Sequence, residues 1–385
     1  MVVYFDNSAT TKPSQKVVEI MMKALTEYYG NPSSLHRMGL ETEKLIRLSR
    51  KQVSKALGAK EQEIIFTSGG TEANNLSILG VIEALKRKGK SIITTKIEHL
   101  SVLNIYKYLE QKGFKVLYLD VDQYGRINME QLKNSVTEET IMITIMHVNN
   151  EVGTIQPVED IGDFIRDRAS KPIFHVDAVQ SFGKVHLRSS RIMADFISLS
   201  GHKIHGPKGI GALYIKKGQR IQPLVFGGNQ ETGLRSGTEN VPGILGFGVA
   251  AEEITNDIDN RILKMRTLKE SFVKMLKSEI GDIKINGSEG EGSSPHITNI
   301  SFMGVMGEVL LHSLEQDNIF VSTGSACSSK KEAKSHVLKA MGMKDSEIES
   351  AIRFSFSHNN TIEEMNFTID RLKKHVSELR KIRKR

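Results

Sequence analysis

The chain has 385 residues, with 53 Lys and Arg against 45 Asp and Glu, and one cysteine. This length supports a large domain with a smaller one beside it; the lone thiol excludes an intramolecular disulfide and argues against a cysteine-based metal cluster, and no apolar run approaches the ~20 residues of a membrane-spanning helix. Of the net charge of +8, +7 lies in residues 371–385, so the near-neutral remainder gives no reason to expect direct nucleic-acid binding.

The segment Met1-Val2-Val3-Tyr4-Phe5-Asp6 has neither a basic region nor a long apolar stretch, so no signal peptide is indicated and a cytoplasmic location is expected. From about 60 to 217, strands and helices alternate. Strands are predicted at Glu63–Thr67, Ser91–Thr95, Phe114–Leu119, Ile141–Val148, Pro172–Val176, Asp195–Leu199 and Gly211–Ile215, with helices from Thr71 to Lys88 and from Ser101 to near Gly113. Such alternation predicts an α/β fold with a mainly parallel sheet between helices, and ligands then bind at the carboxyl ends of the strands.

Several of these strand ends carry chemistry. Thr67-Ser68-Gly69-Gly70-Thr71-Glu72 links a strand to a helix, and free N–H groups and hydroxyls there make a phosphate cradle. Ile97-Glu98-His99 sets His99 where its ring can stack on a flat cofactor and pass protons. Asn149-Asn150-Glu151 offers amides for a carboxylate or a cofactor oxygen. The next two strands deliver Asp177 with Gln180, then Ser200-Gly201-His202-Lys203. A carboxylate and an amine at neighbouring strand ends are what pyridoxal 5'-phosphate requires: the amine forms the Schiff base and the carboxylate keeps the ring nitrogen protonated. Two histidines in His202-Lys203-Ile204-His205 lack a third ligand, so no metal site is expected.

A helical pattern from Pro242 to Ile280 is long enough to connect two domains. Beyond it, a strand at Ile297–Phe302, a helix at Glu308–Gln316, a strand at Ala351–Phe356 and a helix from Thr361 read as α+β. A lone cysteine is ordinarily a small buried residue, but Cys327 stands in Ser322-Thr323-Gly324-Ser325-Ala326-Cys327-Ser328-Ser329-Lys330-Lys331. This small, polar composition is that of a mobile nucleophile loop, in which the charges of Lys330 and Lys331 are expected to favour the thiolate if they lie close to it.

Taken together, Tyr4 to Thr11, Gly30 to Ser34, Thr67 to Asn75, His175 to Gln180, Ser200 to Gly211, Arg235 to Thr238 and Ser325 to Cys327 resemble, in order and over almost the whole length, a NifS/IscS-type cysteine desulfurase. The resemblance implies a fold-type I pyridoxal phosphate enzyme, with 15–258 as the large cofactor-binding domain and 1–14 plus 259–385 as a small domain carrying the cysteine loop. It implies that Lys203 carries the cofactor, Asp177 partners the ring nitrogen, Gln180 bonds the ring hydroxyl and His99 stacks on the ring. Gly70, Thr71, Ser200 and His202 are then phosphate ligands, joined by Thr238 of a second subunit in a homodimer. Asn150 contacts cofactor and substrate, and Arg353 anchors the carboxylate of L-cysteine.

Cys327 is the implied sulfur acceptor, with onward delivery to an acceptor protein for iron–sulfur cluster assembly or tRNA thiolation. The Ser-Ala-Cys-Ser-Ser segment is longer than that of the SufS-like branch. The chain stops at Lys381-Ile382-Arg383-Lys384-Arg385 without the longer tail of housekeeping members, which leaves the acceptor open. A selenocysteine lyase or another aminotransferase-like pyridoxal phosphate enzyme is the alternative.

Overall fold

The computed structural model describes residues 1–323 and 334–383. In chain order these form β1 (Val3–Tyr4), α1 (Gln15–Thr26), α2 (Arg37–Leu57), β2 (Ile64–Thr67), α3 (Gly70–Leu85), β3 (Ser91–Thr95), α4 (Leu100–Gln111), β4 (Lys115–Leu119), α5 (Met129–Ser135), β5 (Thr140–Met146), α6 (Val158–Arg166), β6 (Ile173–Asp177), α7 (Ser189–Ile192), β7 (Phe196–Ser200), β8 (Gly211–Ile215) and α8 (Val241–Glu279). There follow β9 (Ile283–Asn286), β10 (Ile297–Phe302), α9 (Gly307–Gln316), β11 (Ile319–Phe320), α10 (His336–Ala340), α11 (Asp345–Glu349), β12 (Ala351–Ser355) and α12 (Ile362–Arg383).

The main sheet has the order β2-β8-β7-β6-β5-β3-β4. Only β8 runs against the others, pairing antiparallel with β2 and β7. The expected seven-stranded, mainly parallel sheet is therefore present, and β5, β6 and β7 are buried along their length apart from Ile173, as their largely apolar sequences require of strands covered on both faces. Because β2, β3, β5, β6 and β7 share a direction, their carboxyl ends open on one edge of the sheet.

α1 and α2 lie outside the strand–helix alternation and have no counterpart in the sequence reading above. Their ends carry local signals: the Ser14 side chain accepts from the N–H of Val17, and Gly58 closes α2 in a left-handed conformation with φ of 69°. Both helices pack on the first half of α8. Asn240 caps α8 by accepting from the N–H of Gly243.

α8 is interrupted at Asp257, whose φ of −147° is not helical. Ile254, before the break, belongs to the core that covers the main sheet, whereas Leu268, Phe272 and Leu276, beyond it, pack with Val3 and Phe5 in a second core. There Phe5, Phe272 and Phe356 meet edge-on at centroid distances of 5.0 to 6.1 Å, a favoured arrangement for ring quadrupoles. The second core is built on the antiparallel sheet β12-β10-β9 and the parallel pair β1-β11. Its α+β character matches the pattern expected after residue 280. No helix among the described residues is long and apolar enough to cross a membrane.

Candidate active site

Asp177 ends β6, two strands from His99 beyond β3 and next to Ser200 at the end of β7. The Asp177 carboxylate is buried and fixed from two sides: its Oδ1 accepts the N–H of Val179 at 3.0 Å, and its Oδ2 accepts from Asn74 Nδ2 at 2.8 Å. The second hydrogen of that amide goes to Ser101 Oγ at 2.9 Å. Ser101 Oγ in turn lies 2.8 Å from His99 Nδ1.

His99 is the N-cap of α4, with its Nδ1 accepting the N–H of Ser101 at 3.1 Å. An accepting Nδ1 leaves the proton of the neutral ring on Nε2. Burial lowers the pKa of His99, opposed by the charge of Asp177 and helped by that of Lys203. The ring is therefore a neutral Nε2–H donor that feels the charges of both residues singled out for the cofactor.

Lys203 follows β7 in a short 3₁₀ turn, Gly201–Lys203. Its Nζ donates to the carbonyl of Ala9 at 2.7 Å and to that of Ser8 at 2.5 Å. Gln180 Nε2 donates to the same Ser8 carbonyl at 2.9 Å, so one peptide of the N-terminal segment sets both side chains. His202 Nδ1 lies 3.2 Å from Thr10 Oγ1, and burial first, then Lys203, pushes its pKa down to about 4.

The mouth of α3 faces this group. A Cβ built on Gly70 would stand 2.5 Å from Val179 Cγ2 and 3.7 Å from Ser200 Cβ, so only glycine lets the helix N-terminus approach the Asp177 turn. Thr71 is exposed beside it, and Ser200 Oγ is buried without a hydrogen-bond partner among the described residues. Gln180 Oε1 is in the same condition. A helix N-terminus, a buried hydroxyl lacking a partner, and a buried carboxylate within one edge are donors and acceptors arranged for a phosphorylated pyridine ring.

Arg353 reaches the site from β12. Its Nη1 donates to the carbonyl of Asn150 at 2.9 Å and its Nη2 to Asp6 Oδ1 at 2.7 Å, while its Nε is buried without a partner among the described residues. Thr238 stands apart from this cluster. It is exposed on the loop before α8 and lines a hollow of about 170 Å³ with Thr67 and Ser68. Arg235 of that loop donates to Glu72 of α3 at 3.0 Å. Cys327 lies outside the described residues.

Three residues of the cluster have no role in the sequence reading: Asn74, Ser101 and Asp6. A signal for Asn74 exists, because asparagine is uncommon on the buried face of a helix unless its amide is bonded.

Residues 3–367 match the family model for class-V aminotransferases. Cysteine desulfurase IscS of Dictyoglomus turgidum is 43% identical over 380 residues, covering 99% of this chain and 96% of that protein. The solved structure of a NifS-like protein superposes with a TM-score of 0.92 at 40% identity, covering 98% of this chain and all of that one. The structure of SspA in complex with cysteine gives a TM-score of 0.82 at 35% identity, covering 93% of this chain and 100% of that one. The chain belongs to the class-V aminotransferase family and, within it, to the cysteine desulfurases.

Proposed function

We propose that the chain binds pyridoxal 5'-phosphate on Lys203 and uses it to move sulfur from L-cysteine to Cys327, releasing L-alanine. The observation that carries this reading is the connected set Asp177–Asn74–Ser101–His99 next to Lys203, whose amine is fixed on the carbonyls of Ser8 and Ala9. Bound there, the cofactor supplies a carbonyl for the substrate amine and a protonated ring that accepts the electron pair left when the Cα–H bond breaks.

The protein's own groups then divide the work. Asp177, held by two N–H donors, keeps the ring nitrogen protonated through charge. Gly70, Thr71, Ser200 and His202 take the phosphate, and Gln180 takes the ring hydroxyl. The planar fork of Arg353 receives the substrate carboxylate beside Asn150. With the cofactor bound, the Lys203 amine would accept the substrate Cα proton, and His99 would donate or accept a proton through Nε2. The Cys327 thiolate attacks the substrate sulfur: an S–S bond forms, the C–S bond breaks with its electron pair left on carbon, and protonation of that carbon gives the methyl group of alanine.

A homodimer completes the phosphate site in this reading. The exposed loop of Thr238, tied to α3 by Arg235 and Glu72, is the segment that a second copy would present. Sulfur then passes from Cys327 to an acceptor protein.

Borohydride reduction followed by peptide mapping tests the assignment. The phosphopyridoxyl group is expected on the peptide containing Lys203, and recovery on a different lysine, or on none, would overturn it.

A further inference from the structure

Between the second half of α8 and the edge formed by β9, the following loop and β10 lies a cleft of about 320 Å³ that takes no part in the chemistry above. This is the lower end of the range for small-molecule sites. One wall is basic, with Arg266, Lys269, Lys274 and Lys277 against Glu270 and Glu289, and Glu289 is already paired with Lys277 at 3.1 Å. Val273, Ile285, Pro295 and Ile297 supply an apolar floor.

Lys269 is the distinctive group. Its Nζ donates to Ser293 Oγ at 2.6 Å and to the carbonyl of Ser294 at 2.7 Å. An ammonium has three N–H donors, and no carboxylate lies within ion-pair distance of this one among the described residues. Burial, helped by Arg266 and opposed by Glu270 and Glu289, pushes its pKa down to about 7. Four further side chains that line the cleft, Asn286, Ser288, Ser294 and Thr298, each carry a buried oxygen without a hydrogen-bond partner among the described residues. Native proteins leave few such atoms, and these four make the material behind the cleft's surface polar.

We propose that this cleft binds a small organic anion, its acidic group on Lys269 and its apolar body against Val273, Ile285 and Ile297. The guest would also abut Val152, two residues from Asn150. The packing there is close: a Cβ built on Gly153 would stand 2.9 Å from both Ser294 Oγ and Ile297 Cβ.

The test is a fluorescence titration of the full-length protein, saturated with pyridoxal phosphate, using 8-anilinonaphthalene-1-sulfonate as an aromatic monoanion. One saturable site is expected. Lys269→Met should weaken it about tenfold or more, since a charge-assisted hydrogen bond contributes roughly 1.5–3 kcal/mol. Val273→Trp, which fills the cleft while leaving Lys269 in place, should abolish it, and Lys373→Met on α12 should leave it unchanged. Cooperative thermal unfolding establishes that each variant is folded. No saturable site in the parent protein, or undiminished binding by folded Val273→Trp, would overturn the proposal; should Lys269→Met fail to fold, the Val273→Trp result decides alone.

Discussion

Asn74 Nδ2 donates to Asp177 Oδ2 at 2.8 Å, and the same amide reaches Ser101 Oγ, the hydroxyl beside His99 Nδ1. One buried side chain thus sets the orientation of the acid and, through Ser101, the tautomer of the histidine. Asn74 is a positioning residue on this account. Asn74→Ala removes one of the two N–H groups on a buried carboxylate, a loss of about 1.5–3 kcal/mol. Retention of pyridoxal phosphate should fall by roughly 10- to 100-fold, with a displaced absorption band. A spectrophotometric titration identical to that of the parent protein would deny Asn74 this role.

Arg353 is gripped by Asp6 and by the Asn150 carbonyl, so its guanidinium is oriented before substrate arrives. Lysine cannot reproduce a planar fork with donors in three directions. Arg353→Lys should therefore raise the KM for L-cysteine on the order of tenfold or more, through loss of a charge-assisted pair, while the cofactor spectrum without substrate stays the same. An unchanged KM would remove Arg353 from the carboxylate site.

Glu98 precedes His99 and is fully buried, with Oε1 accepting from Thr95 Oγ1 at 2.8 Å and from the N–H of Met146 at 2.9 Å. Burial raises its pKa from 4.5 to about 8. Between those values the folded protein holds a proton here that the unfolded chain releases. Its contribution to stability is thus full below pH 4.5 and is lost as pH rises towards 8, with a limiting slope of about 1.4 kcal/mol per pH unit. Glu98→Gln cannot ionise, so urea unfolding of the two proteins between pH 5 and 8 should show the parent losing stability relative to the variant. A difference independent of pH would mean that Glu98 is ionised in the fold.

The sheet and the cluster at its strand ends were legible because strand periodicity and strand-end polar residues are local signals. Asp177, Lys203, Gln180, Ser200 and His99 gather because their strands lie side by side, and a strand–helix alternation foretells that edge. The partners of Asp6 and Asn74 were not legible. Asp6 meets Arg353 across 347 residues and Asn74 meets Asp177 across 103, and neither separation leaves a local pattern.

The basic end of the chain shows the same limit. Arg380 donates to the carbonyls of Met303 and Asp282, both at 2.9 Å, and Lys373 pairs with Glu279 of α8. Part of that charge is engaged in holding α12 on the small core, a use that net charge alone cannot reveal.

Thr238 provides the test of the dimer. Mixed dimers of Thr238→Ala with Lys203→Ala should contain one site with both residues intact, so mixing and re-equilibrating the two variants should recover activity above the sum of the separate preparations. Light scattering should report two chains. A fully active monomer would contradict the shared site.

Single-turnover reaction of the cofactor-loaded protein with L-cysteine, followed by intact-protein mass spectrometry, bears most directly on sulfur transfer to Cys327. The account predicts one added sulfur on the parent protein, located on the Cys327 peptide, and a matching quantity of L-alanine. Cys327→Ser should bind cofactor and L-cysteine with unchanged spectra yet form neither product; alanine and sulfide released by that variant at the parent rate would contradict the mechanism.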